Sequence, residues 1–214
     1  MKRFATAVVS LCVVASTVLL APVVKAEELA PDALIKNVSS EVLTVIKNDK
    51  DLQGGNTHKV VQLIEQKVLP HFNFPHMTQL AVGRDWSKAT PEQRKALTNE
   101  FRNLLVRTYA NALTAYKDQT VEVKKFSLQP ADTDATVRTN VKQPGGKSIS
   151  IDYSLEKLPE GWKVYDVVVL EVSLVTNYRN TFSQEVQSGG IDGLIKTLAA
   201  KNKQLETAAK GDKK

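Results

Sequence analysis

Apolar residues recur at helical spacing through the first half of the chain and at every second position through much of the rest, with the change of period near Thr120. Leu34, Ile35, Val38, Val42, Val45 and Ile46 trace one face of a helix. The polar stretch 48–56, with Gly54 and Gly55, ends it, and Thr57 is expected to cap a second helix carrying Val60, Val61, Ile64 and Val68. Pro70 and Pro75 bracket a turn rich in aromatics and histidines, and a short helical piece from Met77 to Val82 follows. The best-marked helix starts at Thr90. Pro91 stands at its first position and Gln93 three residues after the cap, which makes a capping box with proline where it is tolerated. Leu97, Phe101, Leu104, Leu105, Thr108, Ala112 and Tyr116 then form its broad apolar face.

Beyond Thr120 the alternation predicts strands. Ala135, Val137, Thr139 and Val141 alternate with polar neighbours, as do Ile149, Ile151, Tyr153 and Leu155, and Pro144-Gly145-Gly146 turns one run into the other. Val121 to Leu128 is a further strand whose alternation fails at Lys124-Lys125, which suggests a bulge. Trp162 to Leu170 is apolar on both faces, as a central covered strand would be. Two helices close the pattern. Leu174, Tyr178, Phe182 and Val186 mark the first, Gly189-Gly190 ends it, and Asp192 opens the second with Leu194, Ile195 and Leu198. The fold class expected is α+β: a curved four-stranded antiparallel sheet flanked by N-terminal and C-terminal helices.

The first residues change the picture of where the protein works. Lys2 and Arg3 precede an uncharged run from Phe4 to Val24, which closes on Val24-Lys25-Ala26 before the acidic Glu27 and Glu28. That is the three-part pattern of a cleaved secretory signal, expected over residues 1–26. Cys12, the only cysteine, falls inside it, with Leu11 where lipid attachment would need a small residue. The mature chain therefore has no disulfide, and packing alone must hold it. Residues 27–200 suit one α+β domain, and 201–214 read as a basic C-terminal tail.

The formal net charge of +6 belongs to the two ends. Removing Lys2, Arg3 and Lys25 leaves 26 basic against 23 acidic residues, and the tail's five lysines against Glu206 and Asp212 account for the excess of three. A body neutral by count is not the basic surface a nucleic-acid binder presents.

Candidate chemistry is sparse. His58, His71 and His76 have no accompanying cysteine or carboxylate cluster, so no metal site is expected, and no cofactor motif is present. No serine sits in a nucleophile elbow and no glycine-rich loop opens a helix after a strand. Asp166 is the one carboxylate on an apolar strand face, shared with Trp162, Val164, Val168 and Leu170. It is either a base of raised pKa, as in isomerases on cone-shaped folds, or a structural aspartate bonded to nearby backbone. No partner acid accompanies it, which favours the structural role. A curved sheet covered by helices encloses a cavity readily, and Leu97, Phe101, Leu105, Tyr109, Val121, Val137, Ile149, Ile151 and Val164 are the expected lining.

The motifs resemble those of the MlaC, or toluene-tolerance, family. Ala89-Thr90-Pro91-Glu92-Gln93-Arg94 is similar to its helix start, Trp162-Lys163-Val164-Tyr165-Asp166 running into Val172-Ser173-Leu174 to its strand-to-helix passage, and Gly190-Ile191-Asp192-Gly193-Leu194 to its closing motif. Glu171 stands where the family pattern has glycine. The resemblance implies a cone-like fold related to nuclear transport factor 2 and a periplasmic phospholipid carrier without enzymatic activity. It implies as partners an inner-membrane ABC transporter of the MCE type and an outer-membrane lipoprotein and porin complex, the shuttle maintaining outer-membrane lipid asymmetry. Arg84, Arg107 and Arg179 are the candidate head-group contacts. Two alternatives stand beside it: a binding protein for small aromatics linked to solvent tolerance, and a cone-fold enzyme using Asp166.

Overall fold

The computed structural model describes residues 29–114 and 118–211, so the expected signal segment 1–26 lies outside the described residues. Six helices and five strands follow one another as the change of period predicts. Helices α1 (Pro31–Asn48), α2 (Lys50–Gln53), α3 (Thr57–Leu63), α4 (Phe74–Val82) and α5 (Pro91–Thr114) precede strands β1 (Thr120–Val123), β2 (Asp134–Lys142), β3 (Ile149–Leu158), β4 (Gly161–Val169) and β5 (Val172–Ser173), and α6 (Leu174–Gly211) closes the chain. A π-helical turn at Ile64–Val68 and short 3-10 turns at Leu69–His71 and Gly83–Lys88 join the helices.

Local signals account for most boundaries. Thr90 Oγ1 accepts from the Gln93 amide at 3.2 Å and Gln93 Oε1 accepts from the Thr90 amide at 3.0 Å, the reciprocal box that starts α5. The cap of α3 is Asn56 and not Thr57: the Asn56 side chain accepts from the Lys59 amide, and Thr57 is the first helical residue. Asparagine at the preceding position competes well for the same orphan donors. Gly190 adopts φ 68° and breaks α6 into two helices at the expected place.

The sheet is antiparallel in the order β1-β2-β3-β4-β5, with five strands where four were expected. The fifth is the pair Val172–Ser173, too short for an alternation to show, which folds back on Val169 and Val168. β1 stops at Val123, and although the Lys124 amide still donates to the Arg138 carbonyl at 2.8 Å, residues beyond it leave the ladder. The bulge with consequences is in β4: Ser154 pairs with Asp166 but Leu155 pairs with Val164, which leaves Tyr165 unopposed. One extra residue inverts the side-chain alternation. Trp162, Val164 and Val167 are therefore the buried residues of β4, and Asp166 is not on their face.

A two-residue turn joins β4 to β5, with Leu170 at φ 49° and Glu171 at φ 69°. A left-handed conformation costs a side-chain-bearing residue roughly 1–2 kcal/mol, so Glu171 is strained where glycine would not be. Glu171→Gly is expected to stabilise the protein by about 0.5–1 kcal/mol net of the added unfolded-chain freedom, read as a higher urea midpoint. An unchanged or lowered midpoint contradicts the strain at this turn.

Three apolar clusters hold the domain. One joins α4, α5 and α6 through Met77, Leu97, Phe101, Phe182 and Leu194. A second joins α1 to the sheet through Leu34, Ile35, Val137, Leu155, Trp162 and Val164. The third joins α1, α2, α3 and α5 through Val42, Ile46, Leu52, Val60 and Val106. The stretch read as a basic tail carries on α6 as far as Gly211, where Asn202 is buried and donates to the Glu100 carbonyl at 2.9 Å.

Candidate functional site

A cavity of about 740 Å³ lies where the three clusters meet. The sheet supplies Val121, Val141, Ile149, Ile151, Tyr153, Val164, Val167, Val169 and Val172. Helix α1 supplies Leu34, Ile35, Val38, Val42 and Ile46, the segment between α3 and α4 supplies Val68, Leu69, His71 and Phe72, and α5 supplies Leu105, Val106, Tyr109 and Leu113. Among the described residues no aspartate, glutamate, lysine or arginine is in the lining. The few polar members are Ser39, His71, Gln119, Gln143 and the tyrosines.

The helices cannot close this space because each is committed elsewhere. The stripe of α1 is shared between the sheet through Leu34 and Ile35 and α3 through Val42 and Ile46. The bulge at Tyr165 turns Val167 and Val169 toward the cavity. Of the four large apolar residues exposed among the described residues, two are cavity-lining: Tyr109 is 37% and Val172 55% exposed, and they mark the open side.

The expected lining divides. Leu105, Tyr109, Val121, Ile149, Ile151 and Val164 line the cavity. Leu97, Phe101 and Val137 do not, and each is fully buried at 0% exposure. Phe101 packs edge-on against Tyr178 and Phe182, at 5.2 Å from each, in the helical cluster. Val137 is enclosed with Leu155, Trp162 and Val164. The α1 contribution was legible as an apolar stripe, but nothing in a stripe says whether it faces a void or a packed core.

The three candidate arginines are likewise elsewhere. None is in the lining. Arg179 donates from Nε and a terminal nitrogen to the Leu80 carbonyl at 3.2 and 3.0 Å, Arg107 pairs with Glu206 at 3.3 Å, and Arg84 is exposed on the 3-10 turn.

Asp166 is a structural hinge pin. Its Oδ1 accepts from the amides of Val167 at 2.8 Å and Val175 at 3.2 Å, and its Oδ2 accepts from Ser173 Oγ at 2.6 Å. Ser173 Oγ in turn accepts from the Thr176 amide at 3.0 Å, so the pair caps α6 and ties it to β4. Asp166→Asn keeps the Oδ1 acceptor and is expected to cost about 1 kcal/mol, while Asp166→Ala strands the donors and costs about 1–3 kcal/mol. Both variants should retain ligand, because Asp166 is not in the lining. Thermal melts and ligand content check this, and loss of ligand from folded Asp166→Asn would contradict it.

The histidines are dispersed. His58 is exposed, while His76 Nδ1 lies 2.7 Å from Glu156 Oε1 and its ring stacks on Tyr165 at 4.8 Å. His71 faces the cavity, where burial and then the neighbouring Lys163 hold its pKa below the ordinary histidine value. The imidazole is therefore neutral near pH 7, in keeping with an apolar lining. Burial likewise pushes the Tyr153 phenol up to about 12, so it too stays uncharged. Among the described residues no group of three or more His, Cys, Asp or Glu side chains could hold a metal ion.

Helices around one antiparallel sheet thus enclose a cavity whose described lining is apolar and uncharged, a space suited to a hydrophobic ligand. The chain belongs to the MlaC family, whose model matches residues 36–200. It is 27% identical over 173 residues to the toluene tolerance protein Ttg2D of Pseudomonas putida, a match covering 78% of each chain. It is 23% identical over 171 residues to the intermembrane phospholipid transport system binding protein MlaC of Haemophilus influenzae, covering 78% of this chain and 80% of that one. A phospholipid-binding protein from Ralstonia solanacearum, solved in complex with a phospholipid, superposes with a TM-score of 0.78 at 42% identity, over 83% of this chain and 99% of that one.

Proposed function

We propose that this protein is a periplasmic carrier that takes a phospholipid's acyl chains into the cavity and moves them between the two membranes. The observation that carries the reading is the cavity of about 740 Å³, which has no permanently charged side chain in its lining among the described residues. Apolar wall exposed to water costs about 25 cal/mol per Å², so a space lined this way favours an occupant that covers the wall with hydrocarbon.

The physics of transfer explains why catalytic groups are not needed. A diacyl lipid exposes ~30 methylenes, and at ~0.8 kcal/mol each roughly 24 kcal/mol opposes its passage through water. A carrier hides the chains yet must surrender them to a membrane that solvates them equally well. Its net preference is therefore small, and partners tip the balance. In this reading those are an inner-membrane MCE-type ABC transporter and an outer-membrane lipoprotein and porin complex, and the shuttle maintains lipid asymmetry. The signal segment 1–26 delivers residues 27–214 to the periplasm, and among the described residues no helix is long and apolar enough to cross a membrane.

Mass spectrometry of organic extracts from purified protein tests the reading. Glycerophospholipid at close to one molecule per protein is the expected result. A small aromatic in its place would favour the solvent-tolerance alternative suggested by the Pseudomonas relative's name. Protein that neither carries nor takes up lipid from vesicles would overturn the carrier.

A further inference from the structure

The cavity has a direction, and two of its walls record it. Along α5 the lining passes from buried Leu105 to exposed Tyr109, one turn apart on the same face. Along the sheet it passes from Val164, fully buried, through Val167 and Val169 to Val172, which is exposed and paired with Val169. Both walls run from a closed end to an open one.

The closed ends of the two walls belong together. Phe72 is bridged to Val164, and its ring stacks on that of Phe74 at 5.8 Å. Phe74 and Met77 lie one turn apart on α4 and share a packed cluster with Leu105. Val164, Phe72, Phe74, Met77 and Leu105 all line the cavity. They form its inner end, opposite Tyr109 and Val172.

Among the described residues three lining side chains are fully buried: Ile46, Met77 and Val164. Ile46 and Val164 are β-branched and stiff. Met77 is unbranched, with three rotatable bonds and a thioether that fills irregular gaps. The backbone beneath it is held firmly. The Asn73 amide donates to the Val164 carbonyl at 2.8 Å, and the Asn73 carbonyl accepts from the Met77 amide at 3.0 Å. The Asn73 side chain accepts from the His76 amide at 3.1 Å and donates to Glu156 at 2.8 Å. An adjustable side chain thus stands on a fixed base at the inner end of the cavity.

We propose that Met77 is the stop on which the acyl-chain ends rest, and that its side chain sets the longest chain the cavity accepts. The proposal rests on the phospholipid-carrier reading and specifies it, because it makes chain length a basis of selection. A membrane solvates every methylene of a lipid, so the cavity discriminates only through methylenes it fails to enclose. Each one left in water lowers retention by about fourfold. Truncating Met77 at its β-carbon removes three heavy atoms. That makes room for about one or two further methylenes, a gain of about four- to fifteenfold for a lipid that was too long.

The test incubates the purified protein with vesicles of dimyristoleoyl-, dioleoyl- and dierucoyl-phosphatidylglycerol in equal amounts, re-isolates it, and measures each lipid by mass spectrometry. Wild-type protein is expected to under-represent the longest lipid. Met77→Ala should raise the ratio of dierucoyl to dioleoyl lipid by about four- to fifteenfold over wild type. Met77→Val, a smaller truncation, should raise it in the same direction and serves where the alanine variant fails to melt cooperatively by circular dichroism. Leu97→Ala separates the stop from general loosening, since Leu97 is fully buried in the same cluster but does not line the cavity. Its ratio should stay at the wild-type value, and a shift equal to that of the Met77 variants overturns the stop. A wild-type ratio equal to that of the vesicles, or a folded Met77 variant with the wild-type ratio, also overturns the stop and leaves the carrier intact. Wild-type protein that takes up none of the three lipids overturns the carrier reading and the stop with it.

Discussion

Ile151→Arg is expected to leave the protein folded and to strip it of lipid. Ile151 lines the cavity near the start of β3, paired with Thr139 on one side and Val169 on the other. It is only half-buried, and Ile149 and Gln143 carry the cavity wall onward from it toward the end of the sheet. An arginine stem can run along that apolar wall and place its guanidinium near solvent, as long cationic side chains do at membrane interfaces. The fold therefore loses little. Acyl chains that must share the space with a cation lose far more: a charge among hydrocarbon costs about 3 kcal/mol on insertion scales, which is on the order of a hundredfold in retention. The measurement pairs a circular dichroism melt with lipid counting on the same sample. A folded variant with its full lipid complement would mean that the lipid occupies some other part of the molecule.

Val137→Arg is expected to do the opposite and unfold the domain. Val137 sits two residues from Thr139 on β2, on the same alternating face, and from the pattern alone it looks equivalent to Ile151. In the fold it is 0% exposed and packed among Leu34, Leu155, Trp162 and Val164. No route to water exists for a guanidinium there. An unpaired buried charge costs more than ~4 kcal/mol, against a total stability of ~5–15 kcal/mol. The expected result is loss of the cooperative melt or a midpoint lowered by about 8–16 °C or more, since 1 kcal/mol corresponds to roughly 2–4 °C in a domain of this size. A variant melting within a few degrees of the parent would show that the cavity extends to Val137. The two substitutions differ by fourteen positions in sequence and by almost nothing in pattern, yet one tests a pocket and the other a core.

That contrast shows where sequence reading reaches its limit. Alternation reports which face of a strand is apolar, and both residues obey it. Whether the apolar face meets packed side chains or space depends on which helix lies over it, and that is a long-range matter. Val137 is sealed among Leu34, Leu155, Trp162 and Val164, whereas Ile151 packs only at the margin of that cluster and faces the cavity. The same limit explains the arginines. Arg107 and Arg179 read as exposed cations on helices, but their partners, Glu206 and the Leu80 carbonyl, are each 99 residues away in sequence.

What the sequence determined by itself is what short-range chemistry can encode. The capping box at Thr90 and Gln93, the Pro144-Gly145-Gly146 turn, the break at Gly190 and the change of period at Thr120 each involve groups a few residues apart, and each is present in the fold. Two of the three family motifs, those at Thr90 and Gly190, lie in those same local passages. The tertiary structure decided what depends on register and on competition between distant surfaces. The unopposed Tyr165 inverted the faces of β4, which took Asp166 off the apolar face and left it to clasp the start of α6. The two-residue β5 exists only because β4 is there to pair with it. The cavity itself is a consequence of three clusters each satisfying its own packing, since close packing is enforced between elements in contact and not across the space their divergence leaves.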